Sequence, residues 1–239
     1  MAIKALVWDL DGTLIHFKID YIRARRTAIK ILREYGVPKK SLSINESILD
    51  SVRKSKEILE KQGYKLEEIR KIIKKVDEEV TIIEREAALK ATLREGIDIV
   101  LEFAQNKNLK QAIYTYNTTE NARISLETVN LLKYFDEIVG RDLIENPKPH
   151  PDHLLYICKK LEVKTPEIII IGDTSRDIEG ALNVKARSIA LNSVFFKQSS
   201  KSEILHKADK IIEENEIHSK MIYAIEELID LCHRKKYKY

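Results

Sequence analysis

A run of four consecutive isoleucines, residues 168–171, constrains the fold of this chain more than any other feature of its sequence. Because the run does not alternate between apolar and polar residues, a strand formed from it is buried on both faces. Strands of this kind occur in parallel sheets that helices cover on both sides. Four more segments predict strands of the same sheet, the last of them weakly: residues 3–8, 112–114, 188–191 and 208–212.

Residues 19–95 show a different pattern, with helical periodicity and no convincing strand. We predict one helix over residues 20–35, and a second that begins at the capping-box pattern of residues 43–46 and ends near Gly63. A crossover between parallel strands needs only about a dozen residues, so the excess indicates an inserted subdomain. A third helix in this segment carries an apolar stripe formed by Ile69, Ile72, Ile73, Val76, Val80 and Ile83.

The two patterns together predict an α/β fold, with a doubly wound, Rossmann-like core around a parallel sheet and an inserted all-helical subdomain. We assign residues 1–15 and 96–239 to the core and residues 16–95 to the insert. The insert contains 20 Lys and Arg against 14 Asp and Glu, whereas the core contains 22 against 24. A basic insert suits an anionic substrate held against the core, although a solvated helical surface is the more ordinary explanation.

Composition excludes several classes of protein. Among 239 residues, 42 Lys and Arg nearly balance 38 Asp and Glu, which does not indicate a nucleic-acid partner. We expect the basic tail at residues 233–239 to be a frayed, solvated helix end. No signal-peptide pattern occurs, and no apolar run approaches the roughly 18–20 residues of a membrane helix, so we expect no membrane partner. Cys158 and Cys232 lack the spacing of a metal or redox site, which indicates reduced thiols and a cytoplasmic protein. The abundance of Lys, Glu and Ile is typical of a protein from a thermophile.

Carboxylates directly follow two of the predicted strands. Asp9 and Asp11 come after the first strand, and Asp173 and Asp177 come after the isoleucine run. Because ligands in open α/β sheets bind at the carboxyl ends of the strands, we expect Asp9 and Asp173 to lie at the same edge. Crowded carboxylates repel one another unless a cation lies between them, and an all-oxygen site suits Mg²⁺ or Ca²⁺. Asp177 has a second explanation, as an acid in the first turn of a helix, where the helix dipole favours it.

Polar residues at two further points suit an anion. Thr115 ends a predicted strand and has a hydroxyl that can donate to a phosphate oxygen, whereas Thr118 or Thr119 can simply cap the next helix. Lys148 lies between two prolines in a loop over residues 146–152, which we predict to be rigid because proline fixes φ and restricts the preceding residue. A lysine held in this way supplies a localised positive charge for an anion.

Four segments in this order resemble the haloacid dehalogenase superfamily of phosphohydrolases: DLDGT at 9–13, the strand that ends in Thr115, the lysine of PKPHPD at 147–152, and GDTSRD at 172–177. The resemblance covers essentially the whole chain. The insert is similar to the helical cap of the subgroup that includes phosphoglycolate phosphatases and β-phosphoglucomutases. The resemblance implies a Mg²⁺-dependent phosphatase that hydrolyses a small phosphorylated metabolite, phosphoglycolate-like or a sugar phosphate, through an aspartyl-phosphate intermediate.

The resemblance also implies a role for each matching residue. Asp9 is expected to be the nucleophile, and Asp11 the general acid to the leaving oxygen and then the base for the hydrolytic water. The phosphoryl group is expected to bind Gly12, Thr115, Asn117 and Lys148. Mg²⁺ is expected to bind Asp9, the backbone carbonyl of Asp11 and Asp173, with Asp177 in support, directly or through water.

This sequence departs from the pattern of the family at two points. Tyr116 stands where an asparagine is usual, which displaces the amide to Asn117. His16 stands near the hinge of the cap, where an acidic residue is common, and we interpret it as an exposed linker residue.

Other functions stay open at this point. The presence of Asp11 disfavours a dehalogenase or a phosphonate hydrolase, neither of which uses an acid there. A sugar-phosphate mutase of the β-phosphoglucomutase type shares all four segments, and a non-catalytic phosphate-binding module is the alternative outside enzymes. We also expect at least one of Arg23, Arg25 and Arg26, which follow the hinge, to contact a second anionic group of the substrate. The oligomeric state is not predicted.

Overall fold

The computed structural model describes residues 2–192 and 202–234, so most of the basic tail and the side chain of Cys232 lie outside the described residues. The chain forms two compact units. The sheet unit consists of Met1–Phe17 and Lys90–Tyr239, and the helical unit consists of Lys18–Leu89. None of the helices in the described part of the chain is long and apolar enough to cross a membrane.

Parallel strands form the main sheet of the sheet unit. The strands are β1 (Ala5–Trp8), β4 (Lys110–Tyr114), β5 (Glu137–Val139), β6 (Ile168–Gly172), β7 (Arg187–Asn192) and β8 (Lys210–Glu213). Their spatial order is β5-β4-β1-β6-β7-β8, and every neighbouring pair is parallel. The short strands β2 (Ile15–His16) and β3 (Thr92–Leu93) form a separate antiparallel pair. The prediction of a parallel α/β fold is confirmed, and each of the predicted strands is present.

Helices cover both faces of this sheet. They are α4 (Ile97–Asn106), α5 (Thr119–Thr128), α6 (Pro151–Leu161), α7 (Ser175–Asn183), α8 (Ser202–Leu205) and α9 (Ile217–Arg234). Ile169 and Ile171 lie in the core of one face with α4, α5 and α9, whereas Ile168 and Ile170 lie in the core of the other face with α6 and α7. All four isoleucines are fully buried, and each such burial contributes roughly 1.5–3 kcal/mol of hydrophobic stabilisation.

The register of the central strands aligns their carboxyl ends. Trp8 at the end of β1 pairs with Ile113 of β4 on one side and with Ile171 of β6 on the other. The residues that follow these strands therefore emerge at a single edge of the sheet. Asp9 and Asp173 lie at that edge, as the sequence predicts.

Three helices form the helical unit: α1 (Tyr21–Glu34), α2 (Ile48–Lys61) and α3 (Leu66–Ala88). The first begins at an Asp20 cap and ends before Tyr35, in agreement with the predicted helix over residues 20–35. The apolar stripe of α3 faces the core of the unit, where its members are buried except for the half-buried Ile73. The amphipathic pattern therefore gives the correct inward face of this helix.

The start of α2 differs from the prediction. The helix begins at Ile48 with Ser47 as its cap, and the Ser47 hydroxyl accepts a hydrogen bond from the backbone N–H of Asp50 (3.1 Å). Ser43 instead accepts from the backbone N–H of Asn45 (3.2 Å) in a local turn. Two serines four positions apart both precede acidic residues, and the sequence pattern does not distinguish them.

Short elements account for the other differences. Strand β3 lies inside the segment predicted to have no strand, and β5 was not predicted, because runs of two and three residues carry too little periodicity to detect. Helix α6 begins at Pro151, so the predicted loop over residues 146–152 ends earlier. Proline is favoured in the first turn of a helix, where its missing N–H costs nothing. His16 lies in β2 and is exposed.

We expect Ser47→Ala to destabilise the helical unit by about 1 kcal/mol, because the first turn of α2 loses its side-chain cap. Ser43→Ala is the matched control and should change the free energy of unfolding far less. Urea unfolding, followed by circular dichroism, measures both variants. A loss for Ser43→Ala that equals or exceeds the loss for Ser47→Ala would contradict the observed helix start.

Candidate active site

A buried lysine lies at the centre of the polar residues at the sheet edge. The ammonium of Lys148 donates to Oδ1 of Asp9 (2.5 Å), to Oδ1 of Asp177 (2.8 Å) and to the carbonyl oxygen of Tyr114 (3.0 Å). Its side chain is only 4% exposed. Burial alone would lower the pKa of Lys148, but the carboxylates of Asp177 and Asp9 outweigh burial and raise that pKa. The lysine is therefore charged, and all three of its donors are used.

Three buried carboxylates lie together at this site, and two of them, Asp9 and Asp177, contact the lysine. Oxygens of Asp9, Asp173 and Asp177 lie within 4.8 Å of one another. Burial raises the pKa of Asp9 well above its usual range, and the Asp177 carboxylate raises it further against the opposing effect of Lys148. One ammonium cannot neutralise three carboxylates. The residues present therefore fit a divalent cation with oxygen ligands, and within the described residues this is the one acidic, histidine or cysteine cluster with such spacing.

Asp177 is an acid in the first turn of α7, as one of the two sequence interpretations has it, and it also contacts Lys148. Its Oδ2 accepts hydrogen bonds from the backbone N–H (2.9 Å) and the hydroxyl (2.6 Å) of Thr174, which closes the first turn of α7. Its Oδ1 accepts from Lys148. The carboxylate is thus a helix cap on one side and a partner of the buried ammonium on the other.

Two glycines allow the carboxylates to approach the backbone this closely. Gly12 has φ of +86°, and a Cβ at this position would lie 2.4 Å from Oδ2 of Asp173. A Cβ on Gly172 would lie 2.4 Å from Cγ of Asp177. The backbone N–H of Gly12 donates to the carbonyl oxygen of Ile15 (2.9 Å), so this amide is already used within its turn. Gly12 is needed here for the close approach of Asp173 rather than for an available amide.

The segment after β4 brings an amide to Asp11. Asn117 Nδ2 donates to Oδ2 of Asp11 (3.4 Å), and the backbone N–H of Asn117 donates to the hydroxyl oxygen of Thr115 (3.0 Å). The Thr115 side chain is fully buried. Thr118 caps α5 by accepting from the backbone N–H of Asn121 (3.3 Å), so the capping interpretation holds for this threonine. The predicted residues Thr115 and Asn117 therefore contact each other, and Asn117 contacts Asp11.

The ring of Tyr116, the residue that separates Thr115 from Asn117, lies against Arg176. The guanidinium of Arg176 lies 5.1 Å from the centre of the Tyr116 ring, a cation–π distance. The Tyr116 carbonyl accepts from Arg141 Nη1 (2.8 Å). Tyr116 thus has its own contacts.

Two buried cationic or titratable residues near the site were not identified from the sequence, Arg94 and His153. Arg94 Nη2 donates to the carbonyl oxygen of Gly12 (2.6 Å), and Arg94 Nη1 pairs with Oε1 of Glu214 (2.5 Å). His153 is fully buried in the first turn of α6. Neither residue belongs to a motif. Their burial is the only feature that distinguishes them, and burial cannot be read from a sequence.

Gly12→Ala is expected to weaken the binding of a divalent cation at the acidic cluster, with Mg²⁺ as the probe, at least about tenfold, because the new methyl group would displace the Asp173 carboxylate. Gly63→Ala is the matched control: Gly63 has φ of +87°, nearly the same as Gly12, but no atom lies within 4 Å of a Cβ there. Both variants place an alanine at positive φ, which strains the backbone, but only Gly12→Ala should lose affinity for the cation. Isothermal titration calorimetry measures this, and equal Mg²⁺ affinity for Gly12→Ala and the unsubstituted protein would contradict it.

Known proteins share this sequence pattern. Residues 6–191 match the haloacid dehalogenase-like hydrolase family. A phosphorylated carbohydrates phosphatase from Thermotoga maritima is 26% identical over 188 residues, which cover 74% of this chain and 80% of that protein. A phosphoglycolate phosphatase from Escherichia coli strain K12 is 31% identical over 87 residues, which cover 36% of this chain and 34% of that protein.

A solved structure shares the fold. The crystal structure of a β-phosphoglucomutase from Clostridium difficile superposes with a TM-score of 0.68 at 21% identity, over 95% of this chain and 97% of that chain. At this identity the likeness establishes the fold alone. The family match spans most of the chain and includes every residue of the acidic cluster and Lys148. This chain therefore belongs to the haloacid dehalogenase-like hydrolase family.

Proposed function

We propose that the protein is a phosphatase that hydrolyses a small phosphomonoester through an aspartyl-phosphate intermediate. The observation that supports this most is the carboxylate of Asp9, which lies at the end of the central strand with the Lys148 ammonium 2.5 Å away. A carboxylate nucleophile that attacks a phosphoryl dianion needs nearby positive charge, because the two anions otherwise repel. The resemblance of the chain to a phosphorylated carbohydrates phosphatase supports the same class of reaction.

In this proposal an Asp9 oxygen forms a bond to phosphorus while the bond from phosphorus to the leaving oxygen breaks. Asp11 gives its proton to that leaving oxygen and then accepts a proton from the water that attacks phosphorus, and the bond from phosphorus to the Asp9 oxygen breaks to release inorganic phosphate. The hydrogen bond from Asn117 to Asp11 supports this role, because it restricts the carboxyl group to one orientation. The buried Thr115 and the ammonium of Lys148 are proposed to bind the phosphoryl oxygens, and Lys148 does so by exchanging its present hydrogen bond to Asp9 for one to a phosphoryl oxygen.

A divalent cation, proposed to be Mg²⁺, would be held by Asp9, Asp173 and the backbone carbonyl of Asp11. When bound it supplies positive charge that the phosphoryl oxygens and the carboxylates share. Both oxygens of Asp177 already accept hydrogen bonds, from Thr174 and Lys148, which favours a supporting role for this residue over direct ligation.

A sugar-phosphate mutase is the alternative, because it would use the same residues and differ in the fate of the aspartyl-phosphate. The two reactions are separated by their products. Incubation with hexose phosphates and Mg²⁺ should release inorganic phosphate for a phosphatase, whereas isomerised hexose phosphate without free phosphate would identify a mutase. Binding of phosphate without turnover of any phosphomonoester would identify a non-catalytic binding module.

The two aspartates of DLDGT should respond differently to substitution. Asp9→Asn should lower kcat by more than about a thousandfold with every substrate, because no phosphoenzyme forms. Asp11→Asn should lower kcat by roughly 10²–10⁴-fold with an alkyl phosphate and much less with p-nitrophenyl phosphate, whose leaving group needs no proton. Phosphate release and trapping of the phosphoenzyme measure both effects. Equal losses with both substrates for Asp11→Asn would contradict its role as the acid.

We propose that the helical unit acts as a cap that supplies substrate contacts, and that Arg26 is one of them. Arg23 pairs with both carboxylate oxygens of Glu86 (2.6 and 3.0 Å), and Arg25 donates to the carbonyl oxygen of Ile44 (3.1 Å). Arg26 is exposed, and no ion pair joins it to the rest of the described chain. Its charge is therefore available for a second anionic group, whereas Arg23 is paired with a carboxylate and Arg25 is hydrogen-bonded to the backbone within the unit.

Arg26→Ala should raise KM at least about fivefold for a substrate with a second anionic group, such as a carboxylate or another phosphate, because one charge-assisted contact is lost. The KM for p-nitrophenyl phosphate, which has no such group, should stay within twofold, or about 0.4 kcal/mol, of the unsubstituted protein. Arg23→Ala is the control and should affect neither substrate. A KM unchanged by Arg26→Ala across a panel of phosphomonoesters would exclude this contact.

A further inference from the structure

His153 is a buried polar residue that contacts Lys148 and that the proposed chemistry does not use. Its side chain is fully buried in the first turn of α6. Nδ1 accepts a hydrogen bond from the backbone N–H of Lys148 (3.2 Å), and Nε2 lies 3.0 Å from the carbonyl oxygen of Val139 at the end of β5. The ring therefore connects the segment that carries the lysine to the sheet edge.

These two contacts select one form of the imidazole. A carbonyl oxygen can only accept, so Nε2 carries the proton, and Nδ1 keeps the lone pair that receives the Lys148 N–H. Burial lowers the pKa of His153 to about 4, although the hydrogen bond to Val139 opposes this. The ring is thus neutral at ordinary pH, with both nitrogens satisfied.

The same ring also contacts the residue that receives the ammonium of Lys148. His153 packs edge-on against Tyr114, with ring centres 4.6 Å apart and an interplanar angle of 71°. The Tyr114 carbonyl accepts from Lys148 Nζ, and Nζ lies 4.9 Å from the centre of the Tyr114 ring. His153 thus contacts the backbone of Lys148 and the ring of Tyr114.

We propose that His153 is a positioning residue, which fixes the backbone of Lys148 and so holds the ammonium between Asp9 and Asp177. This rests on the proposed function, since the ammonium matters for turnover only if Asp9 reacts with a phosphoryl group. A displacement of about 1 Å in a catalytic group can cost a hundredfold in rate, so a contact to the backbone suffices to affect turnover. A histidine that merely fills space would affect stability without a preference for either nitrogen.

Two substitutions separate these possibilities. In His153→Asn the side-chain oxygen can take the place of Nδ1 and still accept the hydrogen bond from the Lys148 backbone N–H. In His153→Gln the side-chain amide N–H takes the place of Nε2, and the Lys148 backbone N–H is left without an acceptor. We expect kcat with p-nitrophenyl phosphate to fall less than about fivefold for Asn and at least about twentyfold for Gln. Ile157→Ala, one turn further along α6 and also fully buried, is the control for lost packing and should leave kcat within about twofold.

A double substitution tests the route through Lys148. If His153 acts through this lysine, His153→Gln should lower kcat no further in a protein that already carries Lys148→Ala. A loss of the same size in both backgrounds, or equal losses for Asn and Gln, would overturn the proposal. Thermal unfolding of each variant ensures that the kinetic comparison is made on folded protein.

A measurement that needs no turnover keeps this proposal distinct from the proposed function. Nitrogen-15 NMR of the unsubstituted protein should show the His153 ring protonated at Nε2 and not at Nδ1. Hydrogen exchange of the Lys148 ammonium should be faster in His153→Gln than in His153→Asn. A ring protonated at Nδ1, or the same exchange rate in the two variants, would overturn the positioning role. Absence of phosphomonoester hydrolysis in the unsubstituted protein, with the expected NMR result, would instead overturn the phosphatase proposal and leave the positioning contact intact.

Discussion

The buried ammonium of Lys148 is the interaction on which the rest of the structure depends. A charge in the interior is tolerated only when it is paired and hydrogen-bonded, because water no longer stabilises it. Its partners Asp9, Tyr114 and Asp177 are 139, 34 and 29 residues away in sequence. This charge is therefore compensated only when three parts of the fold are in place: the strand register, the loop that carries the lysine and the start of α7. Loss of the lysine would leave the buried carboxylates of Asp9 and Asp177 without their positive partner, at a cost of roughly 3–5 kcal/mol.

Several groups at the sheet edge serve the fold and the site together. Asp177 completes the first turn of α7 with one oxygen and binds Lys148 with the other. Arg94 joins the Gly12 carbonyl to Glu214, so the turn that carries the first two aspartates is tied to the segment after β8. These shared contacts hold the polar groups of the site in fixed positions. They also couple stability to chemistry, because a change made for one purpose disturbs the other.

The sequence predicted the features that follow from local patterns and missed specific contacts between residues that are far apart along the chain. The unbroken apolar run at 168–171 predicted a doubly buried strand, and acids directly after two such strands predicted one cluster at one edge. The close approach of Asp173 to Gly12 spans 161 positions, and no periodicity reports it. His153 carries no signal because a histidine in an amphipathic helix looks the same whether it faces water or a backbone amide. The start of α2 was misplaced because Ser43 and Ser47 have equivalent patterns.

The antiparallel pair β2 and β3 has a consequence for how this chain can change in length. Ile15 pairs with Leu93 and His16 pairs with Thr92, so the chain departs from the sheet unit and returns to it at adjacent points. Neighbouring residues in such a pair are only about 5 Å apart, a gap that a two-residue turn can close. Everything between them is, in topology, an enlarged hairpin loop. Doubling the length of such a loop adds only about 0.6 kcal/mol of closure entropy, so segments of very different size can be exchanged there while the strand register of the sheet stays the same.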